Sequence, residues 1–206
     1  MSPSCRLLTI VSVHETHINL LADQWVTDNG LQLHWQLLPY DDLDLDRPRL
    51  YFDIRYSLSN AFHVRDGRGI PIKEMYLNRL ATRRALTQMT FTLKGIPGRT
   101  IVVHRPQGVR VRDVLERIQQ LLQDPLTLGE KRADFRGCVT RSRPHYEERV
   151  RQERLVDDSY VDDGMHRLDL LEGRFIFDGC QWRPPREGYP NGSWTLLFSH
   201  PVWKYD

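Results

Sequence analysis

The chain has 206 residues, 40% of them hydrophobic and 27% charged, a balance that supports a packed core and excludes wholesale disorder. Lys and Arg number 29 against 27 Asp and Glu, so no global field draws in a polyanion. The three cysteines, Cys5, Cys138 and Cys180, are odd in number and lack a CxxC spacing, which argues against a disulfide framework or a thiolate metal site.

In chain order, the apolar run Leu7–Val13 (LLTIVSV) is short for a signal-peptide core and reads as a strand. No stretch approaches the length of a bilayer span, so the expected setting is intracellular and reduced, cytoplasmic or nuclear, with no membrane partner. Leu31–Leu37 (LQLHWQL) alternates Leu31, Leu33, Trp35 and Leu37 with Gln32, His34 and Gln36, the period of a half-buried strand. An acidic, Pro-bounded connector (39–49) leads into YFDIRY at 51–56, a predicted strand with Asp53 and Arg55 at its centre. Residues 57–74 read as a polar, Gly-rich loop and 75–84 as a short helix.

The clearest hairpin is predicted over 90–104, where TFTLK and TIVVH flank GIPG. The best helix follows at 111–123, its stripe marked by Val111, Val114, Leu115, Ile118, Leu121 and Leu122 at spacings of three and four. Asp124–Pro125 stops it. Thr127 and Glu130 form a capping-box pattern for a second, shorter helix ending near Gly137. Residues 144–156 are helical in composition but poor in apolar side chains, and the acidic DDSYVDD (157–163) comes next. Three strands are expected at His166–Leu171, Arg174–Gln181 and Trp194–Ser199, the first two joined by a tight turn at Glu172–Gly173. Segregated strands and helices predict an α+β fold: an antiparallel or mixed sheet backed by the 111–123 helix, with further short helices. Residues 1–48 are expected as an N-terminal extension packed on a single domain of residues 49–206.

Several landmarks recur in a familiar order: YFDIRY, LATRRALTQMTFTLKGIPGRTIVVH, GVRVRDVLERIQQLLQDPLTLGE, HYEERVRQE, HRLDLLEGRFIFDG and SWTLLFSHP. Over residues 50–201 the chain resembles a domain family of unknown function abundant in basidiomycete fungi. Its pattern runs W-D-L-R, V-x-D-V-L, R-x-D-x-L, F-x-G and W-x-L. Two positions depart from it: Tyr51 and Phe52 stand for the usual Trp, and Cys180 for the usual Leu after F-x-G. The resemblance implies a fungal, intracellular setting and no particular activity.

The candidate site residues are Tyr51, Asp53, Arg55, Arg167 and Asp169. On strands, Asp53 and Arg55 share one face, and so do Arg167 and Asp169. If these strands pair antiparallel, Asp53 can meet Arg167 and Arg55 can meet Asp169 across the diagonal, a four-membered ion-pair ladder. Covered, such a ladder locks strand register; open beside a pocket, it would hold an anionic ligand, with an aspartate as base. No other constellation competes. His14 and His17 (HETH) lack the spacing of a helical zinc site, so no metal and no cofactor is expected. No G-x-S-x-G singles out a serine, and DGRG at 66–69 lacks the frame of a phosphate loop. The Arg-rich run 132–154 is offset by eight aspartates in DDSYVDD and DDLDLD, which weighs against nucleic acid. The leading expectation is a non-catalytic module that binds another protein. The alternative is an anionic-ligand binder or enzyme using the Asp53/Arg55/Arg167/Asp169 face.

Overall fold

The computed structural model describes residues 32–40, 49–65, 67–93, 100–133, 137–189 and 191–201. The strand expected at Leu7–Val13 lies outside these residues. The described part is α+β. Its strands are β1 (Arg49–Tyr51), β2 (Phe62–Arg65), β3 (Arg68–Pro71), β4 (Gln88–Leu93), β5 (Thr100–His104), β6 (Ile176–Arg183) and β7 (Ser193–Ser199). Its helices are α1 (Glu74–Leu77), α2 (Val111–Gln123), α3 (Leu128–Ala133) and α4 (Cys138–Val156). Single 3-10 turns cover Trp35–Leu37, Leu58–Asn60 and Arg167–Leu171.

One sheet is antiparallel, in the order β1-β2-β3, and the second is mixed, in the order β5-β4-β7-β6. Among the described strands only the β4–β7 pair is parallel. The two sheets are laced together just beyond β1: Ile54 N donates to Phe175 O at 3.0 Å and Phe177 N to Phe52 O at 2.9 Å. Across one face lies α2, which has the bounds its stripe predicts. Val111, Val114, Leu115, Ile118 and Leu122 are buried, packed in one core with Met89, Phe91, Leu93, Ile101 and Val103 of the β4–β5 hairpin. That core is where most of the apolar driving force resides.

β6 carries a bulge between Phe177 and Cys180. Gly179 sits there at φ +101°, and a Cβ on it would fall 2.5 Å from Leu38 C and Pro39 N. The F-x-G landmark is therefore a close approach of two backbones that only glycine permits. Trp182 and Trp194 meet edge-to-face across β6 and β7, with ring centroids 4.7 Å apart.

Several expectations are corrected. Residues 32–37 are not a half-buried strand. Leu33 makes a lone bridge to Thr82 and Trp35–Leu37 turns as a 3-10 helix. His34 and Gln36 are buried as fully as the apolar members, and Gln36 Nε2 finds His63 Nε2 at 2.9 Å. YFDIRY is strand only at its start, since the chain turns at Ile54 and Arg55. The supposed loop 57–74 contains the β2–β3 hairpin, and the helix expected at 75–84 is the single turn α1. α4 starts at Cys138, earlier than its composition suggested, with Pro144 inside it. The expected strand His166–Leu171 is a 3-10 helix, since the Asp169 carboxylate accepts the His166 N–H at 2.8 Å and caps the turn. Glu172 (φ 52°) and Gly173 (φ 84°) then make the predicted reversal into β6.

Candidate functional site

The structure does not assemble the expected ladder. Asp53 bridges Ile176, not Arg167, and each of the four charged residues takes its principal partner elsewhere. The physical reason is local. Asp53 precedes a turn, and its side-chain oxygen accepts the N–H two residues on, Arg55 N to Oδ1 at 3.1 Å, as Asx turns do. The Arg55 guanidinium then folds back on the same carboxylate, Nη2 to Oδ2 at 2.6 Å and Nε to Oδ1 at 3.0 Å. This bond to Asp53 raises the Arg55 pKa against the opposing effect of burial. Arg55 also lies over the Phe175 ring, 4.6 Å from its centroid. The turn is pinned to α2 by Gln119, which donates to Tyr56 O, and by Gln123, which donates to Arg55 O at 3.3 Å. Tyr51 stacks on Phe62 with centroids 4.8 Å apart.

Arg167 is buried and serves α2 and α3. It grips Glu130 in bidentate fashion, Nε to Oε1 at 2.8 Å and Nη2 to Oε2 at 3.0 Å. Its Nη1 donates to Leu121 O at 3.3 Å and Asp124 O at 3.4 Å, satisfying carbonyls at the C-terminus of α2. Glu130 also completes the predicted capping box. It accepts Thr127 N at 2.8 Å, and its own N–H donates to Thr127 Oγ1 at 3.2 Å. Burial pushes the Glu130 carboxyl up, but the bonds from Arg167 and Thr127 outweigh it and hold the group at about 2.

Asp169, 1% exposed, receives Arg149 Nε at 3.0 Å and Nη2 at 3.1 Å. Arg149 also donates to Tyr160 Oη at 3.0 Å and Gly164 O at 2.8 Å, so one guanidinium ties α4 to the loop behind it. Burial alone would lower the Arg149 pKa, but the bond to Asp169 raises it. Along α4 two outer arginines are also committed: Arg143 pairs with Glu147 at 2.8 Å and Arg151 with Glu148 at 2.7 Å. The Arg-rich run is thus neutralised within the chain to a large extent.

The histidines that matter are interior. His34 and His63 flank Trp35, the His63 ring centroid 4.9 Å from that of Trp35. Desolvation lowers His34 to about 3, helped by the charge of Arg79, and lowers His63 to about 4. Among the described residues no group of three or more His, Cys, Asp or Glu gathers to hold a metal ion, and no helix is long and apolar enough to cross a membrane. Cys180 is buried, which pushes its thiol pKa up.

Two surfaces stand out, the first at the end of the helix that the sequence marked as too polar for the core, the second unmarked there. Leu155 and Val156 at the end of α4 are 71% and 86% exposed, and Val161 in the following loop is 83% exposed. An open groove of about 550 Å³ runs between β5 and α2, with Val102, His104 and Arg117 among its lining. The signal for the first was the scarcity of partners for Leu155 and Val156 on a polar helix. The second had a signal in TIVVH, a strand without Pro or carboxylate.

No curated protein matches the chain, and no solved structure does. A profile described as a family of unknown function (DUF6699) matches residues 50–190, within the span 50–201 over which the ordered motifs were expected. The chain belongs to that family.

Proposed function

We propose that the protein is a non-catalytic binding module of a fungal cell, cytoplasmic or nuclear, that engages another protein. The observation that carries this reading is the exposed end of α4. The helix has 19 residues and buries only Ser142 and Val150, so it adds little to the core. Its last turn nevertheless presents Leu155 and Val156 to solvent beside Arg151 and Arg154, with Val161 nearby in sequence. Apolar side chains bordered by arginine are the usual make-up of protein interfaces.

Affinity capture from a fungal lysate, run with the wild type and with Leu155→Asp/Val156→Asp, tests this. The expected result is a reproducible partner held by the wild type and released by the variant, with thermal stability unchanged because both side chains are exposed. Identical capture by both proteins, together with an anionic metabolite that raises Tm, would favour the alternative ligand face at Tyr51, Asp53, Arg55, Arg167 and Asp169. That alternative has less support, because each of its charges is already matched within the chain.

A further inference from the structure

The free edge of the mixed sheet goes beyond this reading, because it is a separate surface with its own chemistry. Among the described residues β5 pairs with β4 alone. Arg105 N donates to Thr87 O at 2.8 Å, and this fixes the phase of the antiparallel ladder. Ile101 and Val103 exchange bonds with Phe91 and Met89, while the N–H and C=O groups of Thr100, Val102 and His104 point away from the sheet. Among the described residues no backbone group bonds to them. The other sheet ends differently. β3 has four residues and closes on Pro71, which lacks a donor and blunts that edge. β5 has no such device, and Val102 on it is 46% exposed.

Beside the open edge stands one stripe of α2, formed by Asp113, Glu116, Arg117 and Gln120, residues spaced to share a helix face. Its charges are unequally matched. Asp113 holds Arg105 at 2.7 Å, and Glu116 holds Arg112 at 2.9 Å, a guanidinium it shares with Glu74. Arg117 is exposed, and no described carboxylate pairs with it. Among the described residues Arg117 is thus the lining charge without an ion-pair partner, next to a row of unused backbone donors and acceptors.

We infer that this groove docks an extended, acidic peptide segment of a partner protein, which adds to β5 as an extra strand. Backbone bonds to Val102 and His104 supply the attachment. Alternate side chains fall toward α2, where a carboxylate meets Arg117, and toward Val102 on the other face. A second copy of the chain brings the same spare arginine and leaves it unmatched. The chain's own Leu7–Val13 carries no carboxylate.

The test uses the full chain and labelled heptapeptides of alternating Thr and Val with a central Glu, Gln or Lys, followed by fluorescence anisotropy and amide hydrogen exchange. The Glu peptide is expected to bind tightest, about three-fold over Gln, with that preference lost in Arg117→Gln. Val102→Pro deletes an outward donor without touching a bond to β4 and should weaken all peptides about five- to ten-fold. If that variant does not fold, Arg117→Gln and the exchange data decide. The Val102 and His104 amides should exchange freely in the unbound chain and slow with the Glu peptide. Protection already present in the free chain means its own residues cover the edge. Protection that grows with protein concentration means a second copy does. Either result, or equal affinity for the Glu and Lys peptides, overturns the inference. Leu155→Asp/Val156→Asp should leave peptide binding intact, which separates this surface from the end of α4.

Discussion

YFDIRY and HRLDLL carry the same two charges in reversed order, yet they solve the problem of charge in opposite ways. In the first, Asp53 and Arg55 satisfy one another across two residues, at the rim of the fold. In the second, Arg167 and Asp169 turn to different sides and reach Glu130 and Arg149, 37 and 20 residues away in sequence. The first pair organises a turn. The second joins α2, α3 and α4 to the loop that precedes β6. Burial separates the extremes, the side chain of Asp169 at 1% exposed and that of Arg55 at 36%, while Asp53 and Arg167 are alike at 9%. A charge taken fully from water needs partners from several directions, and one neighbour on the same turn is not enough.

The sharpest way to break this contrast is to strip one partner from the interior pair. Asp169→Ala should leave Arg149 half-buried without its carboxylate and uncap the 3-10 turn, a loss of about 3–5 kcal/mol in urea denaturation. Acid should reach the interior next. The folded-state values of His34 and His63, about 3 and about 4, lie below the ordinary 6.5, so below pH 6.5 the unfolded chain binds protons that the folded chain refuses. Stability is then complete above pH 6.5 and falls by about 2–4 kcal/mol on the way to pH 4.5, an effect that His34→Gln/His63→Gln should flatten.

Glu130 adds a further limb. Its folded value of about 2 lies below the ordinary 4.5, so its contribution is present above pH 4.5 and lost as the pH falls toward 2. Allowing for solvent screening, that limb is about 1–2 kcal/mol, and it should shrink in Arg167→Gln, the remainder resting on the bonds from Thr127. Asp53→Asn keeps the turn acceptor and loses only the charge, so it should cost about 1 kcal/mol or less. Smallest of all is the coupling between the two segments. The double variant Asp53→Asn/Asp169→Asn should match the sum of its parts to within about 0.5 kcal/mol, because the two carboxylates share no partner. A larger coupling in a double-mutant cycle would revive the ladder.

What could be read from sequence and what could not divide along similar lines. The α2 stripe, the Thr127–Glu130 box, the Glu172–Gly173 reversal and the β4–β5 hairpin were legible because each is set by side chains within a few residues of each other. HRLDLL satisfies a period of two as well as any strand, and it is helical through its turn bonds and the cap that the Asp169 carboxylate makes to His166 N. The β2–β3 hairpin hid behind Arg65 and Arg68, which mask Phe62 and Val64 as strand residues. The charges of the candidate site were visible, but their partners were not, since Glu130 and Arg149 arrive on other helices through tertiary packing. His34 and Gln36 looked solvent-facing by alternation. Their burial depends on His63, a pairing that no local pattern encodes.

The fit of Gly179 against Leu38 and Pro39 bears on where this protein can be cut. The family span begins at Leu50, yet Leu33, Trp35 and Leu37 are core residues, and β6 bulges to receive the backbone that follows them. At the other end β7, the strand between β4 and β6, starts at Ser193, past the last matched residue. An excised 50–190 fragment would therefore lose an inner strand and leave a glycine-floored trench with nothing to fill it. The smallest piece able to stand alone is longer at both ends than the portion by which its kin are recognised.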